Sequence, residues 1–343
     1  MILIIGAGLS GLLTGYRLQK RGLPFQILEA RERVGGRIHT VYDSIETPVE
    51  LGATWFGMQH IHLRALLDEL ELDYFEQYMN GTVFFQPFST SPAQSIQMPG
   101  QQPSYRIAGG SSKLIDTLYK KLDPGAVLLN QTVTEIKFHR DTVTVHADEI
   151  FKAEKVVLAL PPKLWEKHIL FSPPLPDLLT HTARQTQTWM EDSIKVALTF
   201  KEPFWEQQQI SGTLFSNTGP ITEFYDHCDN SRSKYALCGF MNSSYQLLPE
   251  HERRLRVMNQ LELVFGKEVT QFVDYKECIW STEIHTYENS ETALFPHQNN
   301  GNPIFKDALF EERLFISGSE TAADFPGYMD GAVYAANKTA SKV

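Results

Sequence analysis

The beginning of the chain combines short apolar runs with one helical pattern. Residues 2–5 are continuously apolar, and leucine and tyrosine then recur at helical spacing over residues 12–18. A second strand-like run follows at residues 25–28. Strand, helix and strand in this order predict the start of an α/β fold built on a parallel sheet.

Further along the chain, the periodicity predicts elements of both kinds. Leucines at helical spacing predict helices over residues 60–72 and 113–122. Alternating apolar positions at 132–139 and 141–147 predict a small sheet. The continuously apolar run at 155–160 predicts a strand that is buried on both faces.

The pattern becomes mixed between residue 163 and about residue 277. Helices are predicted around residues 175–188 and 250–265. Residues 79–105 are rich in Pro, Gly, Ser and Gln, which is typical of irregular or edge-strand structure. The strands predicted in the mixed region lie at 193–200, 211–216, 221–226 and 234–241.

The end of the chain returns to the pattern of its beginning. Residues 313–318 predict a strand and a turn, and a helix follows from about Asp330. We therefore predict a discontinuous first domain with a second, α+β domain inserted into it. The first domain is predicted at 1–74, 108–165 and 278–343, and the inserted domain at 75–107 and 166–277.

Length and composition are those of a globular protein. The chain has 343 residues, of which 42% are hydrophobic, enough for two domains or for one domain with a large insertion. A net charge of −10 without a Lys/Arg block argues against nucleic acid as a partner. No stretch approaches the roughly 20 apolar residues of a membrane span, and the apolar start lacks the basic flank of a signal peptide.

The cysteines and two neighbouring histidines add little candidate chemistry. Cys228, Cys238 and Cys278 form no CxxC pair, which fits packing roles in a reducing compartment. We therefore expect a cytoplasmic protein without a membrane partner. His60 and His62 would lie on opposite sides of a helix, so no metal site is expected there.

Glycines stand where the first strand passes into the first helix. Residues 6–11 have the pattern GxGxxG, and Glu29 ends the second strand about 20 residues later. The glycines permit a tight turn, and the N–H groups at the helix start can hold a pyrophosphate. The carboxylate of Glu29 would accept hydrogen bonds from ribose hydroxyl groups. This constellation predicts a dinucleotide site.

A purely structural turn is the alternative interpretation of these glycines, because such turns also occur without a ligand. The surrounding pattern favours binding. Lys20 and Arg21 lie where cations suit a helix C-terminus, and Gly22 provides a stop.

Four separated segments carry a resemblance to a known family. They are EARERVGGR at 29–37, ELGATWFG at 50–57, SIKVALTFKEPFW at 193–205 and SGSETAADFPGYMDGAV at 317–333. Together they resemble the FAD-dependent amine oxidases of the monoamine oxidase type. The first and last segments also resemble polyamine oxidases and protoporphyrinogen oxidases, whereas the lysine strand resembles monoamine oxidases more specifically.

The resemblance implies a Rossmann-type FAD-binding domain, similar to that of glutathione reductase, with an inserted substrate domain. It also implies oxidation of a small amine to an imine by hydride transfer to flavin N5, with reoxidation by oxygen to hydrogen peroxide. The expected partners are a small amine and molecular oxygen. The protein would supply orientation, a dry space beside N5 and positive charge near N1.

By the same resemblance, a set of residues is expected to contact FAD. The helix start near Asp330 would direct N–H groups toward the flavin C2 carbonyl, and Ser319 and Glu320 would lie along the diphosphate and ribityl chain. The expected cofactor-binding residues are Gly6, Gly8, Leu9, Ser10, Gly11, Glu29, Ala30, Arg31, Gly36, Arg37, Gly52, Ala53, Thr54, Trp55, Val133, Ser319, Glu320, Asp330, Gly331 and Ala332.

Lys195 is the first of three expected catalytic residues. Alternation in its strand puts it on the face opposite the large apolar residues, together with Ala197 and Thr199. Periodicity alone favours a solvated lysine on a polar strand face. The resemblance implies instead a lysine that holds a water against flavin N5 and favours electron transfer to oxygen.

The other two expected catalytic residues are aromatic. Tyr328 resembles one wall of the aromatic pair between which amine oxidases pass the substrate nitrogen, although it could also be an aromatic residue that precedes a helix. Trp280 resembles a tryptophan beside the flavin. The second wall falls at residues 289–290, neither of which is aromatic, which leaves Tyr287 or Phe295. The cysteine that anchors FAD in animal monoamine oxidases is missing from this region, so non-covalent FAD is expected.

The chain is short for this family. Only residues 73–108 separate the helix predicted at 60–72 from the Gly109-Gly110 turn, where family members insert a helical part of the substrate domain. The proportions resemble renalase-like enzymes, which oxidise dihydronicotinamide isomers. An FAD oxidase or desaturase of a non-amine substrate, either such an isomer or a biosynthetic intermediate, is therefore an alternative.

Two further alternatives stay open. One is a catalytically silent flavin-binding partner subunit. The other, an NAD-dependent dehydrogenase, is weaker because Gly35-Gly36-Arg37 is an extension found in FAD families. The sequence leaves open the substrate, the electron acceptor and the oligomeric state, and a homodimer is one arrangement that it allows.

Overall fold

The computed structural model describes residues 1–97, 100, 102–290 and 293–343. The strands are β1 (Ile2–Ile5), β2 (Phe25–Leu28), β3 (Thr40–Tyr42), β4 (Pro48–Glu50), β5 (Phe56–Gly57), β6 (Tyr74–Glu76), β7 (Thr82–Gln86), β8 (Gln94–Ile96), β9 (Ser104–Ile107), β10 (Val127–Leu128), β11 (Glu135–Phe138), β12 (Val143–His146), β13 (Ile150–Ala153), β14 (Lys155–Leu158), β15 (Leu170–Ser172), β16 (Ile194–Phe200), β17 (Ile210–Ser216), β18 (Ile221–Asp226), β19 (Tyr235–Met241), β20 (Asp274–Ile279) and β21 (Leu314–Ile316). The helices are α1 (Leu9–Lys20), α2 (Ile61–Glu69), α3 (Ser112–Lys121), α4 (Pro162–His168), α5 (Asp177–Arg184), α6 (Phe204–Gln207), α7 (Glu250–Phe265) and α8 (Met329–Lys342).

The two ends of the chain share a five-stranded sheet with the order β10-β2-β1-β14-β21. Every neighbouring pair in it is parallel. β1 is the central strand of this sheet, and all of its residues are buried. This sheet confirms the α/β class with a Rossmann-type parallel sheet that the sequence predicts.

Different layers cover the two faces of the parallel sheet. Because side chains alternate along a strand, Ile2 and Ile4 point to one face, while Leu3 and Ile5 point to the other. The first pair packs with α1, α3 and α8. The second pair packs with α4 and with a four-stranded sheet of order β13-β12-β11-β15. The small sheet predicted at 132–147 therefore forms part of a covering layer.

A second large sheet has seven strands in the order β20-β16-β19-β18-β17-β7-β8. β16 lies inside it, and all of its residues are buried. On one face, Ile194 and Val196 pack with α7. The other face carries Lys195 and Ala197, and Ala197 packs with Val49 of the β3–β4 hairpin. A second layer thus covers the face on which periodicity alone favours a solvated lysine.

Three segments refine the sequence predictions. The helix predicted at 175–188 ends at Arg184, because the N–H group of Gln187 donates to the carbonyl oxygen of Gln298 instead of continuing the helix. Within 79–105, β7 and β8 form an edge of the seven-stranded sheet, while β9 pairs with β5 and β6. Residues 170–184 contribute β15 and α5 to the layers beside the parallel sheet. The division into two domains stays a prediction.

Among the described residues, no helix combines the length and the apolar character that crossing a membrane requires.

Gly11 provides a test of the packing between β1 and α1. A Cβ at this position would lie 1.9 Å from the carbonyl oxygen of Gly6 and 3.3 Å from Ala159 Cβ. We expect Gly11→Ala to lower the free energy of unfolding by about 2–3 kcal/mol, because the backbone must shift to admit the methyl group. Chemical denaturation of wild type and variant measures the difference.

Gly100→Ala is the matched control, since a Cβ at Gly100 meets nothing within 4 Å. Equal stability of the two variants would contradict the close contact between turn and helix.

Candidate cofactor and active site

A cavity of about 650 Å³ lies at the carboxyl end of the parallel sheet. One side is formed by residues that follow β1, β2 and β14, and the other includes Lys195, Phe240 and Trp280. Lys195 and Phe240 belong to the seven-stranded sheet, and Trp280 follows its edge strand. Both large sheets therefore contribute to one site.

Most of the predicted site residues line this cavity, including all three predicted catalytic residues. The lining residues among them are Gly6, Gly8, Leu9, Ser10, Glu29, Ala30, Arg31, Gly36, Arg37, Gly52, Ala53, Thr54, Trp55, Val133, Lys195, Trp280, Ser319, Tyr328 and Ala332.

The glycine turn leaves space where side chains would otherwise stand. Gly6 has a φ of +101°, and a Cβ there would lie 2.9 Å from the carbonyl oxygen of Ala159. A Cβ at Gly8 would meet nothing closer than the carbonyl oxygen of Gly35 at 4.0 Å. Gly8 precedes α1, which begins without a side-chain cap. The N–H groups of its first turn can therefore serve an anion.

Glu29 is buried at the end of β2 and is held by the backbone. Its Oε2 accepts a hydrogen bond from the N–H group of Ala7 at 2.7 Å, and its Oε1 accepts one from that of Arg31 at 3.0 Å. Each carboxylate oxygen can accept a further bond from a ribose hydroxyl group. The geometry thus suits the role expected of Glu29.

Four predicted residues are not among those that line the cavity. Among them, Glu320 is fully buried, and its carboxylate accepts from Arg37 Nη1 at 2.5 Å and Nη2 at 3.1 Å. Arg37 also donates to Ser319 Oγ at 2.8 Å. Glu320 therefore orients two residues that do line the cavity. The four are Gly11, Glu320, Asp330 and Gly331.

Asp330 supports a neighbouring helix. α8 begins at Met329, one residue before the predicted start. The Oδ1 of Asp330 accepts a hydrogen bond from the N–H group of Leu63 in the first turn of α2, at 2.8 Å. Such a carboxylate stabilises the positive end of a helix. The start of α8 presents Tyr328, Met329 and Ala332 to the cavity.

Lys195 lines the cavity, although it is only 2% exposed. Its Nζ donates to Thr54 Oγ1 at 3.0 Å. The same atom lies 4.1 Å from the ring centroid of Trp55 and 4.4 Å from that of Phe240. The two ring faces and the hydroxyl group replace part of the lost hydration.

Burial lowers the pKa of Lys195 from its ordinary value of 10.5, because desolvation disfavours the ammonium form. The negative charge of Glu50 opposes this effect. Burial in turn raises the pKa of Glu50, and a hydrogen bond from the N–H group of Ser111 works against that rise.

Trp280 and Tyr328 have different environments in the cavity wall. The indole N–H of Trp280 donates to the carbonyl oxygen of Leu51 at 2.7 Å, so this residue holds the segment that carries Thr54. Burial raises the pKa of Tyr328, which keeps its phenol group neutral.

A group of stacked rings surrounds Tyr328. Trp189 and His297 stack with centroids 3.8 Å apart, and each centroid lies 5.6 Å from that of Tyr328. Trp189 lines the cavity. Neither candidate for the second wall does so: Phe295 is 78% exposed, and Tyr287 lies near Lys163. Trp189 is therefore a ring of the cavity wall beside Tyr328, and His60, which also lines the cavity, lies 5.5 Å from Tyr328 on the same measure.

Several residues that line the cavity were not predicted as site residues, among them Trp189, Met190, Phe240 and His60. Phe240 reaches Lys195 because these residues are opposite each other in the pairing of β16 with β19. Alternation within one strand does not show which residue of a distant strand lies opposite a given position. Trp189 lies in an irregular connection that carries no periodic signal.

A separate polar cluster contains Glu206, Asp226 and Cys228, whose potential ligand atoms lie within 4.8 Å of one another. Nη2 of Arg232 contacts the carboxylates of both Glu206 and Asp226. The guanidinium group supplies the positive charge between them, so the cluster forms an ion network.

Comparison with known proteins decides the family. The sequence model described as flavin containing amine oxidoreductase matches residues 9–91 and 74–343. The chain belongs to this family. Membership makes the protein a flavin oxidoreductase with FAD as its cofactor, as the sequence predicts.

Curated relatives and solved structures agree with this membership. The chain is 24% identical to amine oxidase [flavin-containing] B of Rattus norvegicus over 100% of this chain and 85% of the relative. It is 25% identical to putrescine oxidase of Kocuria rosea over 82% of each.

The fold is shared with two solved amine oxidases. A putrescine oxidase bound to putrescine superposes with a TM-score of 0.85 at 22% identity, over 99% of this chain and 98% of that chain. Cyclohexylamine oxidase from Brevibacterium oxydans IH-35A gives 0.86 at 18% identity, over 99% and 97%.

The cavity of this flavin oxidoreductase fits FAD. The open space at Gly8, the uncapped start of α1 and the carboxylate of Glu29 follow one another along its wall. They suit a pyrophosphate and a ribose, and the cavity continues to Lys195 at the other large sheet.

Gly8→Ala tests this fit. Its φ of −72° and ψ of −177° are open to alanine, so we expect unchanged stability of the FAD-free protein. The added methyl group would occupy cofactor space, and we expect FAD to bind about tenfold more weakly or worse. Fluorescence titration with FAD measures the affinity, and denaturation of the FAD-free chain is the control. Wild-type affinity in this variant would show that FAD does not approach the turn.

Proposed function

We propose that this flavoprotein is an oxidase of small amines, which converts CH–NH to an imine and passes the electrons to oxygen. When bound, FAD supplies the hydride acceptor at N5 and the route to oxygen that yields hydrogen peroxide. The chain's own residues bind and orient the reactants and provide charge.

Lys195 is the observation that carries this proposal. Its ammonium group is buried at the wall of the FAD cavity, fixed by Thr54 and two aromatic rings. Burying a cation lowers stability, so a lysine kept in this position supports a functional role. Held in a dry site, it can stabilise negative charge that develops during electron transfer to oxygen.

The substrate would lie near Lys195, against Tyr328 and Trp189. These rings form an apolar wall, and an electron-rich ring face attracts an amine that approaches as a cation. Because the phenol of Tyr328 stays neutral, the face of its ring is what would attract the amine. A small amine suits this wall, because a few contacts with the rings are enough to orient it.

We also propose that FAD is bound non-covalently. The cavity lining that the structure describes includes no cysteine, and Cys228 and Cys238 are buried elsewhere. Burial raises the pKa of the Cys278 thiol to about 12, which disfavours the reactive thiolate. Release of FAD on denaturation of the protein would accompany this mode of binding.

An anaerobic screen of amines tests the substrate class. Wild-type protein is mixed with primary and secondary amines of increasing size, and flavin absorbance is followed. We expect bleaching by at least one small amine, and then hydrogen peroxide with an aldehyde or ammonia when air is admitted. Bleaching by dihydronicotinamides alone would instead make the protein an oxidase of non-amines.

The role of Lys195 is tested by Lys195→Met, which keeps the length of the side chain and removes its charge. We expect the variant to retain FAD and to be reoxidised by oxygen roughly a hundredfold more slowly, comparable to loss of one preorganised charge-stabilising group. Stopped-flow spectroscopy of the reduced protein mixed with oxygen measures the rate.

Lys201→Met is the matched control, because Lys201 follows the same strand but is exposed. The wild-type rate should also fall as pH rises through the lowered pKa of Lys195, since only the ammonium form below that pKa carries the charge. The reoxidation rate of Lys201→Met should fall with rising pH in the same way, whereas that of Lys195→Met should not depend on this pKa. If Lys195→Met were reoxidised by oxygen at the wild-type rate, Lys195 would have no role in the reaction with oxygen.

A further inference from the structure

A segment that follows Trp280 covers one side of the cavity. Residues 283–290, here called the strap, contribute Ile284, His285 and Thr286 to the lining. Ile284 is at the same time 74% exposed. The strap is therefore a single layer of chain between the cofactor cavity and solvent.

Arg31 fastens the first half of the strap. Its Nη2 donates to Thr286 Oγ1 at 2.7 Å and to Glu283 Oε2 at 3.2 Å, and its Nη1 donates to the carbonyl oxygen of His285 at 3.3 Å. Arg31 lies two residues after Glu29, whose carboxylate accepts from its N–H group. The strap is thus tied to the turn that is expected to hold the adenosine ribose.

Two residues of α4 fasten the second half. Lys163 Nζ donates to the carbonyl oxygen of Glu288 at 2.9 Å and to Ser290 Oγ at 3.3 Å. His168 Nε2 lies 2.7 Å from Glu288 Oε2. Lys163 is itself held by Glu191 at 2.7 Å. Three basic side chains on the body of the protein therefore secure one short segment.

The strap has little apolar attachment of its own. Thr286 is its one buried residue. Segments held mainly by polar contacts open at low cost, because water replaces the broken hydrogen bonds and no core packing is lost. Opening here would uncover the cavity between Arg31 and His168, which both belong to its lining.

We propose that FAD enters and leaves through the side of the cavity that the strap covers. Arg31, Lys163 and His168 are then positioning residues, which act on FAD exchange through the strap. The inference rests on FAD as the cofactor, and it does not depend on which substrate is oxidised.

Glu283 and Glu288 allow the fastening to be weakened without changing the cavity wall, since neither lines the cavity. The double variant Glu283→Gln/Glu288→Gln keeps both side-chain shapes and removes the two carboxylate charges that contact Arg31 and His168. We expect FAD to leave the holoenzyme about fivefold faster than from wild type, because two partly exposed charged contacts are weakened. Recovery of FAD fluorescence, with an excess of a non-fluorescent flavin analogue as chase, measures the release rate.

The direction of the change in the FAD release rate distinguishes a role of the strap from a direct electrostatic effect on FAD. FAD carries a negatively charged pyrophosphate, so removal of two nearby carboxylates should by itself strengthen its binding and slow its release. Faster release therefore requires that the strap hold the cofactor in. Glu288→Gln alone should give an intermediate rate.

Glu69→Gln is the matched control, because Glu69 pairs with Arg17 and Lys20 and does not line the cavity. Fast release from the double variant with wild-type release from Glu69→Gln supports the proposal. Unchanged or slower release from the double variant overturns it, as does equal acceleration in Glu69→Gln. The readout needs no amine, so a protein that oxidises none of the amines tested still gives a decisive result.

Discussion

Hydrogen bonds hold residues 50–54 from both sides, and the site depends on this attachment. On the side of the parallel sheet, the N–H groups of Leu51 and Ala53 donate to the carbonyl oxygens of His39 and Arg37. On the side of the seven-stranded sheet, Trp280 and Cys238 donate to the backbone carbonyls of Leu51 and Glu50, and Lys195 donates to Thr54. One short segment therefore sets the distance between the cofactor side and the lysine side of the cavity.

Charged side chains are buried at this segment, and each of them needs polar or aromatic partners. Glu50 begins the segment, and the charges of Lys195 and Arg106 are close enough to interact with it. All three residues are buried, where an unpaired charge would be strongly destabilising. Each has partners: Glu50 accepts from the N–H group of Ser111, Arg106 donates to the carbonyl oxygen of Cys228, and Lys195 lies against two rings. These contacts come from several distant parts of the chain. The charged group that faces the flavin cavity is therefore held by the tertiary structure as a whole.

The fold around the cofactor was accessible from the sequence because its signals are local. The strand, the glycine turn, the helix and Glu29 lie within one short stretch, and each follows from spacing and residue type. Other expectations concerned residues whose neighbours are distant. Asp330 supports α2 through Leu63, and Glu320 orients Arg37 without lining the cavity itself. Trp189 stands beside Tyr328, although no periodic pattern leads to it.

Lys195 illustrates which properties follow from the sequence and which depend on the tertiary structure. Alternation along β16 determined that the lysine shares a face with Ala197 and Thr199, and the resemblance to flavin amine oxidases indicated a catalytic role. Whether that face is exposed to solvent or buried depends on the β3–β4 hairpin and on Trp55 and Phe240, which come from distant parts of the chain. Side-chain direction is a property of one strand, whereas burial depends on what packs against it. The sequence by itself therefore determined the cofactor fold and the strand face, and only the tertiary structure decided the environment of the charge.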